Sequence, residues 1–69
     1  MKARELFRLL ERIGYSTLRQ TGSHRRMIHP SKPPLTFAFH DGDEVGPALV
    51  RRILMSQAGL TDDEVRELL

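Results

Sequence analysis

Tyr15-Ser16-Thr17-Leu18-Arg19-Gln20-Thr21-Gly22-Ser23-His24-Arg25-Arg26-Met27-Ile28-His29 is the stretch whose reading decides the fold. Residues 15 to 20 are rich in strand formers, Thr21-Gly22-Ser23 is a turn signal, and 24 to 29 alternates as the returning strand of a hairpin. Pro30 ends that strand, and Pro30-Ser31-Lys32-Pro33-Pro34 lacks a ladder donor at its three prolines, so it reads as an ordered connection. Leu35-Thr36-Phe37-Ala38-Phe39-His40 then alternates strictly, which predicts a third strand with Leu35, Phe37 and Phe39 on the face that meets the helices.

Upstream of the hairpin, Leu6, Leu9, Leu10 and Ile13 recur at helical spacing, with Phe7 at the margin, so residues 3 to 13 predict a helix. At about 100° per residue, Arg4, Arg8 and Arg12 share the opposite face as a basic ridge. Gly14 supplies the left-handed position that stops this helix. Downstream, Asp41-Gly42-Asp43-Glu44 is a turn, and Gly46 and Pro47 stand where an N-cap and a first helical residue belong. Leu49, Val50, Ile53, Leu54 and Gln57 share a face of that second helix, with Leu49, Ile53 and Leu54 read as core, and Gly59 closes it. Thr61-Asp62-Asp63-Glu64 has capping-box spacing before Val65, Leu68 and Leu69, which predicts a short third helix.

The order is α-β-β-β-α with a helical tail: an α+β fold, one three-stranded antiparallel sheet with two helices on one face and a short C-terminal helix. At 69 residues the chain is expected to form one domain, 1 to 69, with a thin core and no deep cavity. Its formal charge of +2 hides a split. Residues 1 to 40 hold eight basic and two acidic side chains, and residues 41 to 69 hold three and seven, a pattern that suits a polyanion, a charged protein partner, or both. With no cysteine, disulfides and cysteine-bound metals are excluded. No apolar run approaches the 18 or so residues of a membrane span and no signal peptide is evident, so no membrane association and a cytoplasmic location are expected.

Gly14-Tyr15, Arg19-Gln20-Thr21-Gly22-Ser23-His24, His29-Pro30 and Arg52-Ile53-Leu54 with Gln57-Ala58-Gly59-Leu60 together resemble the HicA toxin family, the small mRNA interferases of HicAB toxin-antitoxin modules, from about residue 4 to residue 60. The resemblance implies a fold similar to the double-stranded RNA-binding domain and a single catalytic histidine after Gly-Ser, here His24. It also implies a metal-independent endoribonuclease that cleaves mRNA and needs no cofactor. Its partner would be a HicB-like antitoxin covering His24, and the free toxin would be a monomer. Where members often carry lysines before the second helix, this chain has Asp41, Asp43 and Glu44.

The residues permit that chemistry. RNA cleavage needs no metal when the 2′-hydroxyl attacks its own phosphate, because nucleophile and electrophile are already adjacent. It then needs a proton carrier and positive charge, which histidine and arginine supply near neutral pH. His24 is the candidate general base or acid; Arg19, Arg25 and Arg26 are candidate phosphate contacts, Gly22 and Ser23 shape the turn, and Arg4 and Arg8 extend the RNA surface along the first helix. Taken alone, His24 reads as a polar residue at a hairpin mouth, His29 as a loop-ordering residue, His40 as half exposed at the sheet edge, and the arginine ridge as a solvated helix face. The spacing of His24, His29 and His40 matches no metal-ligand pattern. Arg51 and Arg52 fit RNA or an antitoxin equally. A non-catalytic RNA-binding or partner-binding module on the same scaffold is the alternative function, and a protein-interaction domain that ignores nucleic acid is a third.

Overall fold

Helix α1 occupies Ala3–Arg12 and stops where Gly14, at φ +111°, turns the chain into strand β1, Ser16–Thr21. A two-residue loop, Gly22-Ser23, leads to β2, His24–Ile28. Gly22 has φ +60° and Ser23 does not share the positive sign, the pattern of a II′ hairpin turn, whose twist suits the strands it joins. Strand β3 is Leu35–Phe37, α2 is Pro47–Arg52 running on into a π-helical segment Ile53–Gln57, and α3 is Asp62–Leu68. The computed structural model describes residues 1–69. Its sheet has the order β1-β2-β3, antiparallel throughout. The expected α+β arrangement with the order α-β-β-β-α is what the chain adopts.

The core is entirely apolar. Fifteen buried residues form one cluster, in which Leu6 and Leu10 of α1, Met27 of β2, Phe37 of β3, Leu54 after α2 and Val65 of α3 are almost wholly hidden from solvent. Each such side chain stabilises the fold by about 1.5–3 kcal/mol through burial, so a thin layer of this kind is enough to hold a small chain together. Phe37 sits at its centre, edge-on to Phe7 at 5.5 Å and to Phe39 at 5.2 Å. Helix α3 begins as its sequence predicts: Thr61 Oγ1 accepts from the Glu64 amide at 3.2 Å, and Glu64 Oε1 accepts from the Thr61 amide at 2.9 Å.

Register assigns the strand residues to two faces. Thr21 pairs with His24, Arg19 with Arg26, and Arg26 in turn with Thr36, so these side chains share the open face of the sheet. Gln20 pairs with Arg25, Arg25 with Phe37, and Met27 with Leu35, so these share the face towards the helices. A bulge between Thr17 and Arg19 leaves Leu18 outside this alternation and 56% exposed. None of the six β1 residues is buried, so β1 carries its side chains to solvent on both faces.

Three details differ from the sequence reading. Strand β3 ends at Phe37 and does not run to His40: Phe37 already faces Arg25 and β2 begins one residue earlier, at His24, so Phe39 and His40 lie beyond the end of the ladder. Phe39 is therefore half-buried beside Phe37, not paired in the sheet. The second helix widens after Arg52, where the Ala58 amide reaches Ile53 carbonyl oxygen at 2.9 Å, before Gly59 ends it at φ +74°. Leu49 is not core: α2 turns Val50 and the following Ile53 and Leu54 inward and leaves Leu49 36% exposed beside β3.

Candidate active site

The three histidines have three different environments. His29 is used up by the fold. Its Nδ1 accepts from the Ser31 amide at 3.0 Å, which leaves the proton on Nε2, and that nitrogen donates to Ile13 carbonyl oxygen at 2.7 Å. The ring also stands edge-on to Tyr15 at 4.9 Å, and Tyr15 donates its phenolic hydrogen to Pro33 carbonyl oxygen at 2.8 Å. Burial raises the Tyr15 phenol above its ordinary value, so it stays a donor. Gly14, Tyr15, His29 and the proline-rich connection thus form one structural clamp, the loop-ordering role read for His29.

His24 is different. It opens β2 on the exposed side of the sheet, and its ring makes no hydrogen bond within the chain. Around it on that face stand Thr21, Arg19 and Arg26. Arg26 donates to Thr36 Oγ1 at 3.2 Å, and neither Arg19 nor Arg26 has a carboxylate partner. Gln20 Nε2 donates to Gly22 carbonyl oxygen at 3.0 Å and closes the turn beside the histidine. A Cβ at Gly22 would meet nothing within 4 Å, so the space above this bare stretch of backbone is open.

Arg25 does not join that group, although the sequence placed Arg25 and Arg26 side by side as phosphate contacts. Consecutive strand residues point to opposite faces, and Arg25 turns towards the helices. There its guanidinium lies 4.3 Å from the centre of the Phe7 ring and 3.5 Å from Asp41 Oδ1, with its side chain only 19% exposed. Two shallow grooves meet at this pair. One is lined by Arg4, Phe7, Arg8 and Glu11, the other by Gln20, Gly22, Ser23, Phe39 and His40, and Arg25 and Asp41 border both. Arg4 and Arg8 of α1 are thereby brought into line with the hairpin mouth, whereas Arg12 lies further along the helix, near Leu68 and Leu69.

The acidic turn is largely engaged within the chain. Asp43 Oδ2 accepts from the His40 amide at 2.9 Å, and Asp41 carbonyl and Asp43 carbonyl oxygens accept from the amides of Arg4 and Ala3 at 3.3 and 2.8 Å. Glu44 pairs with the amino group of Met1 at 2.6 Å and with Lys2 Nζ at 3.5 Å. That amino group, first of all, and then Lys2 hold the Glu44 carboxyl below its usual value. The turn therefore fastens the start of α1. Arg51 is likewise committed, to Asp62, which also pairs with Arg66 at 2.9 Å; Arg52 has no ionic partner. No group of three or more His, Cys, Asp or Glu side chains is arranged to hold a metal ion, and no helix is long and apolar enough to cross a membrane.

The family model described as the HicA toxin of bacterial toxin-antitoxin systems matches residues 3–60. The chain belongs to the HicA toxin family. The match spans α1, the sheet and α2 and ends at Leu60, before α3 begins. No curated protein and no solved structure matches the chain significantly. As a HicA toxin it is one half of a toxin-antitoxin pair, so an antitoxin is its counterpart. The residues that carried the resemblance divide in this HicA structure: Gly14, Tyr15 and His29 serve the clamp, and Gly22, Ser23 and His24 stand on open surface. The sequence reading missed the Phe7-Arg25-Asp41 pivot and the place of His40 beside the turn. Strict alternation from His24 was enough to separate Arg25 from Arg26; the pairing with Asp41 depends on where the chain goes after β3.

Proposed function

We propose that this HicA toxin is an endoribonuclease that cleaves messenger RNA, with His24 moving a proton at the scissile phosphate. The observation that carries the reading is the state of His24: an exposed imidazole with both nitrogens unbonded, at an open turn, sharing a sheet face with the unpaired Arg19 and Arg26. Those two arginines face each other across the ladder, and like charges in that relation cost the sheet up to about 1 kcal/mol. A phosphate held between them removes that cost and receives bidentate contacts from the guanidinium forks. An open surface of this kind suits a long polymer, and a fold similar to the double-stranded RNA-binding domain gives α1 a natural place against the substrate. The groove that runs from Arg4 and Arg8 past Arg25 supplies that second stretch of contact.

The reaction this arrangement supports is attack by the 2′-hydroxyl on the adjacent phosphorus, with the arginines stabilising the added charge. Gly22 and Ser23 present the turn on which the phosphate rests. Nothing in this scheme requires a metal or cofactor. A HicB-like antitoxin would neutralise the enzyme by covering His24 and its arginines, and messenger RNA as substrate places the action in the cytoplasm.

The test is incubation of the purified chain with messenger RNA in EDTA, beside His24→Ala. Cleavage by the wild-type chain and a loss of about 10²-fold or more in the variant is expected. Equal cleavage by both chains, or none by either, sinks the reading, and a salt-sensitive mobility shift of intact RNA would then support a binding module.

A further inference from the structure

We infer that the shallow groove on the helix side of the hairpin turn is a nucleobase subsite, in which Phe39 stacks an unpaired base and Gln20 reads its edge; this rests on the endoribonuclease reading above. The groove, of about 330 Å³, is walled by Gln20, Phe39 and His40 and by Gly22 and Ser23, the two residues that lead into His24. Phe39 is the only hydrophobic side chain in it. Arg25 and Asp41 complete its lining and also border the neighbouring groove of Arg4 and Arg8.

The charge of this groove does not suit a phosphate. Its one guanidinium, Arg25, lies 3.5 Å from the carboxylate of Asp41 and 4.3 Å from the centre of the Phe7 ring, so its charge is already answered. The arginines without a carboxylate partner lie to either side: Arg19 and Arg26 on the open face of the sheet, Arg4 and Arg8 along α1. Phosphates of a bound strand belong to those arginines, which leaves the groove for a flat, uncharged group with hydrogen-bonding edges. A base is that group. Recognition of single-stranded RNA stacks splayed bases on aromatic side chains and bonds their edges, while the backbone follows positive charge.

Both contacts are set before a ligand arrives. Phe39 lies beyond the end of the β3 ladder, half-buried and edge-on to Phe37 at 5.2 Å. The next residue is held as well, since the His40 amide donates to Asp43 Oδ2 and the Asp43 amide donates back to His40 carbonyl oxygen, each at 2.9 Å. Gln20 Nε2 donates to Gly22 carbonyl oxygen at 3.0 Å, which orients the amide and leaves its Oε1 and second N–H unbonded within the chain. An amide so held offers one acceptor and one donor side by side, the pair that matches a donor and an acceptor on a base edge. Side chains ordered in advance lose little freedom on binding.

The experiment uses the purified chain and short single-stranded oligoribonucleotides in which one base at a time is removed to leave an abasic sugar. Cleavage is measured as kcat/KM, and binding is measured on 2′-deoxy copies that cannot be cleaved. Loss of the base at one nucleotide flanking the cleaved bond is expected to lower both by about tenfold in the wild-type chain. In Phe39→Leu, which keeps an apolar contact with Phe37, that penalty should shrink to about twofold or less, and Phe39→Trp should restore it. The ratio of intact to abasic substrate within one variant cancels any loss of folded protein. Gln20→Leu should keep the abasic penalty and flatten the preference among the four bases at the same position. The inference is overturned if no flanking position shows a penalty, or if Phe39→Leu shows the wild-type penalty; a wild-type chain indifferent to which base stands there overturns the role given to Gln20. A penalty on binding that depends on Phe39, with no cleavage, overturns the endoribonuclease reading alone. Cleavage that depends on His24, with no penalty at any base, overturns this inference alone.

Discussion

A Cβ placed on Gly14 would lie 2.7 Å from Nε2 of His29. The glycine is also at φ +111°, where other residues are strained, so the position excludes side chains twice over. Gly14→Ala is expected to lower stability by about 2–4 kcal/mol, from backbone strain and loss of the bond between His29 and Ile13. Denaturant unfolding measures it. A loss below about 0.5 kcal/mol would mean that the clamp between α1 and the proline-rich connection is soft.

The same pair marks how far the sequence was legible. Order and type of elements follow from local signals that the packing leaves intact: the α1 stripe, Gly14, the hairpin turn, Pro47 and the Thr61 box. Signals fail where a distant segment decides. Alternation carried β3 to His40, but the ladder ends at Phe37, opposite Arg25, with only His24 of β2 remaining before the turn. Helical spacing made Leu49 core, but how far α2 rolls against β3 depends on Phe37 and Phe39. Within the candidate site, the turn signal made the exposed place of His24 at the hairpin mouth readable, and His29 could be given its structural role. The pairing of Arg25 with Asp41 spans 16 residues and follows from no local pattern.

Acid should loosen α3 ahead of the rest. The Asp62 carboxyl is held below its usual value chiefly by its hydrogen bond to Arg51, then by the charges of Arg66 and Arg51, against a desolvation that raises it. Glu64 is lowered by the Thr61 backbone amide and hydroxyl. Both carboxyls bind protons less readily folded than unfolded. Their contribution is present above the unfolded value of about 4 and is lost as pH falls through the lower folded values. Helical circular dichroism followed from pH 7 towards 2 should show a first loss that Asp62→Asn removes at neutral pH already. An acid profile identical in wild type and variant would contradict this.

Arg4 and Arg8 should act as phosphate contacts through the groove they share with Arg25. For single-stranded RNA each contact adds about 0.7 to the slope of log affinity against log salt. Replacing both with alanine is expected to reduce that slope by about 1.4, with no change in unfolding temperature because both side chains are exposed. Arg12, further along the ridge, serves as the control, since Arg12→Ala should leave the slope alone. An unchanged slope in the double variant would confine RNA to the sheet.

Asp41 occupies the guanidinium of Arg25 as a phosphate would, 3.5 Å from its Nη2. The carboxylate is well exposed and the arginine is nearly covered, so the pair stabilises the fold little while it blocks an anion from the pivot between the two grooves. Asp41→Asn keeps the size of the side chain and removes its charge. Binding of an uncleavable 2′-deoxy oligonucleotide should strengthen on the order of threefold to tenfold, with a steeper salt dependence as Arg25 becomes free to take a phosphate. The backbone bond from the Arg4 amide to Asp41 carbonyl oxygen is untouched by the change, so the start of α1 stays fastened. Weaker binding in Asp41→Asn would show instead that the carboxylate holds Arg25 in the posture RNA requires, and Arg25→Ala on the Asn background separates the two: it abolishes the gain if Arg25 carries it.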